Sequence, residues 1–179
     1  KADHPAVKQL QAKLAEVDRQ IAGLAGTIRR SINDQYQTAR RQEAALQGDV
    51  AFADVLAAMG AEVRRGDTGT EVRADQGSLS GGTFDLRHFS DTAQTLAAVA
   101  PFATEPVTVT GIGFIRRKEV DRIAAVATEL ERCGISVRTD ADGWTIWPGR
   151  PAPAVVQTYD DHRMAMSFAL LGLAGPGIE

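Results

Sequence analysis

The chain has 179 residues, with 20 lysines and arginines against 23 acidic residues and a formal net charge of −3. Nonspecific binding to nucleic acid needs a clear basic excess, so this charge argues against a nucleic-acid partner. No apolar stretch reaches the roughly 18 residues of a membrane-spanning helix, and a single cysteine, Cys133, excludes an intrachain disulfide. We expect a cytoplasmic protein, with Cys133 as a small buried apolar residue.

Residues 1–47 are predicted to form an amphipathic helical segment. Pro5 suits the first turn of a helix, with Asp3 or His4 ahead of it as the cap. Apolar side chains then recur at alternating steps of three and four, at Val7, Leu10, Leu14, Val17, Ile21, Leu24 and Ile28. This heptad seam is typical of a coiled coil.

Two features weaken the predicted coiled coil. The apolar stripe of the helix could be buried in more than one way. Gly23 and Gly26 each cost about 1 kcal/mol relative to alanine, and Ser31–Asp34 is a candidate interruption. A single amphipathic helix cannot bury its own apolar stripe. We therefore expect either self-association through residues 7–28 or a helix folded back on itself or on the following domain.

From residue 48 the pattern changes to alternating helices and strands, which predicts a second domain over 48–179. Helices are predicted over 52–60, 92–103, 117–134 and 162–175, and strands over 61–65, 70–74, 83–89, 107–112, 135–139, 143–148 and 155–159. Short hairpins combined with crossover helices favour an α/β fold with a mixed sheet. A block of one helix and three strands recurs, as an internal repeat would.

Charged residues gather where one predicted helix begins. Lys118 and Arg122 are four residues apart and Glu119 and Arg122 are three apart, so we expect all three on one flank of the first helical turns. Free N–H groups and the positive end of the dipole favour an anion at a helix start. A solvated face with local ion pairs would give the same pattern.

The last predicted helix begins in the same way. Asp160 or Asp161 caps it, and His162 and Arg163 occupy its first turn. A positive charge opposes the dipole there, so Arg163 costs stability unless the neighbouring aspartates or a bound anion face it. At the start of the helix over 92–103, Asp91 could act as a cap or take a proton.

Three helix starts with charged clusters favour a site for small, multiply anionic molecules. The chain shows neither the spacing of metal ligands nor a glycine-rich phosphate loop, so we expect no metal and no cofactor. His4 and His88 are interpreted as surface residues.

From about residue 47 onward the chain resembles the 5-enolpyruvylshikimate-3-phosphate synthases, the 3-phosphoshikimate 1-carboxyvinyltransferases. The matching phrases are QGDVAFADVLAAMGAEV, SDTAQTLAAVAPFA, RRKEVDRIAAVATEL and TYDDHRMAMSFALLGL. The resemblance implies part of an enolpyruvyl-transferase-type domain, with repeated βαβαββ-like units. It also implies a transferase of the shikimate pathway of aromatic amino-acid biosynthesis, which moves the enolpyruvyl group of phosphoenolpyruvate to shikimate-3-phosphate. The sister transferase acting on UDP-N-acetylglucosamine would share the fold, but the phrase DDHRMAM favours the shikimate enzyme.

The resemblance implies roles for the clustered residues. Asp91 would contact the shikimate phosphate and share in proton transfer, and Glu119 would transfer a proton near the enolpyruvyl carbon. The implied substrate-binding residues are Lys118 for shikimate, Arg122 and Arg163 for phosphoenolpyruvate, and Asp161 and His162 at the same end of the site. Val120 and Phe114 depart from the family pattern on the shikimate side.

Several family motifs have no counterpart in this sequence, namely the glycine-serine-lysine-serine opening, the central serine-serine-glutamine stretch and the last phosphoenolpyruvate-binding lysine. We therefore expect a partial or chimeric transferase that is inactive alone. Residues 1–46 resemble the coiled-coil region of polysaccharide chain-length regulators and tyrosine autokinases, in HPAVKQLQAKLAEVDRQIA and NDQYQTARRQEAALQ. The alternative function is a structural or interaction module in which the N-terminal helix drives oligomerisation.

Overall fold

The computed structural model describes residues 5–75 and 79–179. Contacts between residues divide the chain into two compact units, Lys1–Ala44 and Ala45–Glu179. Among the described residues, no helix combines the length and the apolar character needed to cross a membrane.

Helix α1 runs without a break from Pro5 to Ala58. The predicted interruption at Ser31–Asp34 and the predicted separate helix from Phe52 are therefore wrong. Neither place contains a proline, and polar residues inside a helix cost too little to end it. The hairpin alternative is also excluded within Pro5–Ala58, because this stretch is a single helix.

In the first unit, the seam side chains that the structure describes are exposed. The exposed fraction is 48–64% for these side chains, which are Leu14, Val17, Ile21, Leu24 and Ile28. The side chains of Val7 and Leu10, and the predicted cap at Asp3 or His4, lie outside the described residues. The seam therefore presents an apolar stripe to solvent within the unit itself.

The second unit contains a hairpin and a separate four-stranded sheet. Strands β1 (Glu62–Gly66) and β2 (Gly69–Arg73) pair antiparallel, which confirms the predicted hairpin. The larger sheet has the order β3-β4-β6-β5, with bounds β3 Gly82–Asp85, β4 Val107–Thr110, β5 Val137–Thr139 and β6 Trp144–Ile146. The pair β3–β4 is parallel and the other two pairs are antiparallel, so the prediction of a mixed sheet is confirmed.

One predicted strand, over 155–159, does not form. The backbone there is irregular, and its neighbour Ala154 makes only an isolated bridge to Ile178. The adjacent β-branched residues Val155 and Val156 favoured a strand, but Tyr159 and Asp160 have φ of 56° and 54° and leave extended geometry. The segment is instead a connection that turns into the last helix.

Besides the end of α1, the described part of the second unit contains the helices α2 (Ala93–Val99), α3 (Arg122–Arg132) and α4 (His162–Ala174). Short 3-10 turns at Ser90–Thr92, Ala100–Phe102 and Gly113–Arg117 adjoin α2 and precede α3. The buried core joins the sheet to the helices through Leu96, Val109, Ile123, Trp144 and Phe168, among others. Cys133 belongs to this core, as predicted.

Helix α3 begins five residues later than predicted. The side chain of Asp121 accepts a hydrogen bond from the amide of Ala124 and caps the helix. Lys118 has φ −85° and ψ −153°, which is extended backbone. The prediction that Lys118 and Glu119 lie on the first helical turns is therefore wrong; both belong to the connection before α3.

Candidate functional site

Three element starts in the second unit bring the predicted site residues together. Asp91 lies in the 3-10 turn before α2, Arg122 is the first residue of α3, and Arg163 is in the first turn of α4. Contacts between α2 and α4 and between α2 and α3 hold these starts side by side. Asp91 does not cap α2 as the sequence suggested, because Thr92 holds the cap position and makes no side-chain cap bond. The Asp91 carboxylate is thereby left for other partners.

Arg122 is the central cation of the site. Its side chain is 2% exposed, and its guanidinium meets two acids at 2.7 Å. Nε donates to Asp161 Oδ2, and Nη2 donates to Glu119 Oε2 at these distances. A longer contact, also from Nη2, reaches Asp161 Oδ1 at 3.3 Å. A buried guanidinium needs such partners, because an unpaired charge away from water is very costly.

Asp161 joins the start of α4 to the start of α3. Its carboxylate accepts from the backbone amides of Arg163 at 2.8 Å and Met164 at 3.4 Å, so Asp161 rather than Asp160 is the cap. Both oxygens of the same carboxylate also accept hydrogen bonds from Arg122. Burial alone would raise the pKa of Asp161, but the hydrogen bonds and charge of Arg122, with the backbone amides, outweigh it and lower this pKa.

The positive charge of Arg163 is balanced by Asp91, which is 72 residues away in the sequence, and not by the neighbouring aspartates. Nη2 donates to Asp91 Oδ2 at 2.9 Å, and Nη1 donates to the Asp91 carbonyl oxygen at 3.1 Å. The other carboxylate oxygen of Asp91 lies 3.7 Å from Arg122 Nη1. One carboxylate thus faces both guanidiniums.

The remaining predicted site residues are at the surface. Lys118 and His162 are exposed, on the connection before α3 and at the first position of α4 respectively. The side chains of Asp91 and Glu119 are about half exposed, at 53% and 51%.

Two further acids, Asp121 and Glu129, lie close to the site residues in the chain and were not predicted from the sequence. Asp121 caps α3 and pairs with Arg116 at 2.8 Å. Glu129 is buried near the end of α3 and accepts from Tyr159 and Arg132. A helical spacing of seven from Arg122 could have pointed to Glu129, since such residues share a face. Over the described residues, no group of three or more His, Cys, Asp or Glu side chains could hold a metal ion.

A family model described as EPSP synthase (3-phosphoshikimate 1-carboxyvinyltransferase) matches residues 40–178. A protein of that name from Nostoc punctiforme is 48% identical over 132 residues, which is 74% of this chain and 31% of the relative. Another from Cupriavidus taiwanensis is 50% identical over 133 residues, which is 71% of this chain and 31% of the relative. The chain therefore spans about a third of the length of the curated relatives it matches.

Solved structures agree with the sequence comparisons. The chain superposes on an EPSP synthase from Acinetobacter baumannii with a TM-score of 0.58 and 26% sequence identity. The match covers 70% of this chain and 33% of that structure. The mixed α/β fold of the second unit is thus similar to one portion of a larger known architecture.

Proposed function

This chain belongs to the EPSP synthase (3-phosphoshikimate 1-carboxyvinyltransferase) family, and we propose that its residues 48–179 carry part of the active site of such a transferase. The reaction moves the enolpyruvyl group of phosphoenolpyruvate to shikimate-3-phosphate and releases phosphate. Both substrates are phosphorylated and do not cross a lipid bilayer unaided, so we place the reaction in the cytoplasm. Shikimate-pathway synthesis of aromatic amino acids is the process in which the complete enzyme would act.

The observation that carries this proposal is the meeting of two guanidiniums at one carboxylate. Arg122 and Arg163 come from different helices, yet both contact Asp91, within 3.7 Å and 2.9 Å. Phosphoenolpyruvate has a carboxylate and a phosphate, and planar guanidiniums bind both groups well. We propose that these two arginines bind phosphoenolpyruvate, with Asp161 and His162 shaping that end of the site. Lys118 would bind the shikimate substrate.

The chemistry requires a proton donor and a proton acceptor beside this anion. A hydroxyl oxygen of shikimate-3-phosphate forms a bond to C2 of phosphoenolpyruvate and gives up its proton to a carboxylate, while a proton adds to the methylene carbon. Phosphate then leaves with its C–O bond electrons, and the methyl group loses a proton to restore the double bond. We assign these proton transfers to Asp91 and Glu119, whose half-exposed side chains lie beside the buried Arg122.

Titration with phosphoenolpyruvate at low salt tests the proposal. We expect binding of about 1 mM or weaker, because much of a complete site is supplied elsewhere in the longer relatives. Amide NMR signals near Lys118–Arg122 and His162–Met164 should shift together. Arg163→Ala should abolish these shifts, whereas Arg87→Ala, which removes an exposed arginine paired with Asp85, should preserve them. Shifts that persist in Arg163→Ala would contradict the proposed anion site.

A second candidate function is self-association through the N-terminal seam, for which the exposed apolar stripe of α1 is the specific observation. A second copy of the helix would bury this stripe by packing apolar residues at heptad spacing. Analytical ultracentrifugation of Leu14→Asp and Ile21→Asp tests it, with Ala22→Asp as the matched control beside the seam. Both seam variants should lower the mass of the assembly measured in solution, and the control variant should leave it unchanged. Unchanged mass in the seam variants would exclude a role for residues 7–28 in association.

A further inference from the structure

Helix α3 carries a second buried charged residue on the face that holds Arg122. Glu129 is 0% exposed and lies seven residues, about two helical turns, beyond Arg122. Residues seven apart project from nearly the same side of a helix. The face therefore presents a cation at its N-terminal end and an acid near its C-terminal end, and both contact the segment before α4.

The Glu129 carboxylate holds this segment at two points. Oε1 accepts from the hydroxyl of Tyr159 at 2.6 Å, and Oε2 accepts from the backbone amide of Gln157 at 3.1 Å. Arg132 donates to the same acid through Nε at 2.9 Å and balances its charge. The bond to Glu129, together with burial, raises the pKa of Tyr159. The acid is thus a connector between α3 and the chain that enters α4.

The segment held by Glu129 has an unfavourable backbone. Tyr159 and Asp160 have φ of 56° and 54°, and two consecutive non-glycine residues in this left-handed region are costly. Such a backbone conformation persists only where contacts with the surrounding structure hold it in place. Here the turn has one anchor on each side, because Tyr159 binds Glu129 and Asp161 binds Arg122. Both anchors come from α3.

We propose that Glu129 is a positioning residue: through Tyr159 it fixes the left-handed turn that places Asp161 against Arg122. Asp161 in turn sets the direction of the Arg122 guanidinium, which the proposed function assigns to phosphoenolpyruvate. Loss of the Glu129–Tyr159 bond would let the turn relax and would loosen the bonds from Arg122 to Asp161, so that Glu119 would remain as the close partner of Arg122. An anion would then bind more weakly, although neither Glu129 nor Tyr159 touches it.

The test uses the full 179-residue chain with Tyr159→Phe and Glu129→Gln. The matched control is Glu131→Gln, which removes the same charge from an exposed position of the same helix. The first readout is solvent exchange of the Arg122 Nε–H proton by NMR, which reports its bond to Asp161 without any ligand. We expect exchange about tenfold faster in both variants and unchanged exchange in the control. General destabilisation would accelerate the core amides of β4 and β6 as well, so their unchanged exchange separates positioning from loss of fold.

The second readout is phosphoenolpyruvate affinity, which should fall about fivefold in Tyr159→Phe. The double variant should bind phosphoenolpyruvate no more weakly than the weaker-binding single variant, because both changes break the same connection between Glu129 and Tyr159. If the unsubstituted chain does not bind phosphoenolpyruvate, the proposed function is wrong. The exchange of the Arg122 Nε–H proton would still test whether Glu129 positions Arg122. Should Glu129→Gln fail to fold, Tyr159→Phe decides. Unchanged Arg122 exchange in a folded Tyr159→Phe variant would overturn the inference.

Discussion

At the scale of single residues, Asp161 has two partners that depend on its charge. It caps α4 and pairs with the buried Arg122, and together these contacts lower its pKa from the usual 3.8. A lowered pKa in the folded state means that the ionised form stabilises the fold above the unfolded-state pKa. This contribution disappears as the pH falls through the lower, folded-state value.

Comparison of the wild-type chain with Asp161→Asn by urea unfolding at several pH values checks this expectation. Asparagine keeps the shape and an acceptor oxygen but loses the charge opposite Arg122. The wild-type chain should be more stable by about 2 kcal/mol at pH 7. The difference should shrink as the pH falls below about 4, because the carboxylate takes up a proton in the unfolded chain there while it stays ionised in the folded chain. A difference independent of pH between 7 and 3 would contradict the assignment.

The Asp91 carboxylate faces both arginines that we propose for phosphoenolpyruvate binding, and this predicts an unusual direction of effect. Asp91→Asn should strengthen binding of phosphoenolpyruvate to this chain by about threefold, because it removes a negative charge that competes for Arg163 and Arg122. Isothermal titration at low salt would measure it. The matched control is Asp85→Asn, which removes an exposed carboxylate paired with Arg87. Weaker binding by Asp91→Asn would show that Asp91 supports the anion and does not compete with it.

At the scale of elements, the packing of β4 against β6 depends on a glycine. A Cβ atom on Gly143 would lie 1.8 Å from the carbonyl oxygen of Val109, which is backbone and cannot rotate away. By contrast, a Cβ atom on Gly69 in β2 would meet nothing within 4 Å. Gly143 therefore permits the close approach of the turn between β5 and β6 to the end of β4.

Gly143→Ala should destabilise the second unit by about 2 kcal/mol or more, since the strands must separate to admit the methyl group. Gly69→Ala, the control, should change stability by less than about 1 kcal/mol. Thermal unfolding followed by circular dichroism compares the two variants directly. Equal stability of both would mean that the β5–β6 turn adjusts without cost.

At the scale of the whole molecule, the chain spans 31% of the length of the curated relatives described above, while it contains the residues that we assign to phosphoenolpyruvate binding and proton transfer. Catalysis needs a set of donors fixed in advance around the transition state, and a part of that set stabilises it poorly. The seam in the first unit supplies no group suited to this chemistry, since the side chains along it are apolar.

Turnover by the purified 179-residue chain should therefore be negligible. Phosphate release from phosphoenolpyruvate and shikimate-3-phosphate measures it, with Arg122→Met as the control for contaminating activity. A rate of about 1 s⁻¹ or faster in the unsubstituted chain, absent in Arg122→Met, would contradict the expectation.

Local patterns in the sequence were sufficient for much of the fold. The hairpin at Gly66–Gly69 follows from its turn residues, α4 follows from its cap and apolar run, and burial of Cys133 follows from its place after an amphipathic stretch. Patterns failed where two local structures were similarly favourable. The segment over 155–159 begins with two β-branched residues that favour a strand, but Gln157 and Tyr159 bind Glu129 and the chain turns at Tyr159. Asp121 starts α3 later than the charge spacing implied.

The sequence by itself determined the family, the mixed α/β class and the set of charged residues at three element starts, because motifs, periodicity and caps are local in the chain. Only the tertiary structure decided which charges pair. Arg163 pairs with Asp91, 72 residues away, and Arg122 pairs with Asp161, 39 residues away, whereas Asp160 beside them takes neither role. The reason is that ion pairing depends on distance and burial in space, and both are set by how α2, α3 and α4 pack together.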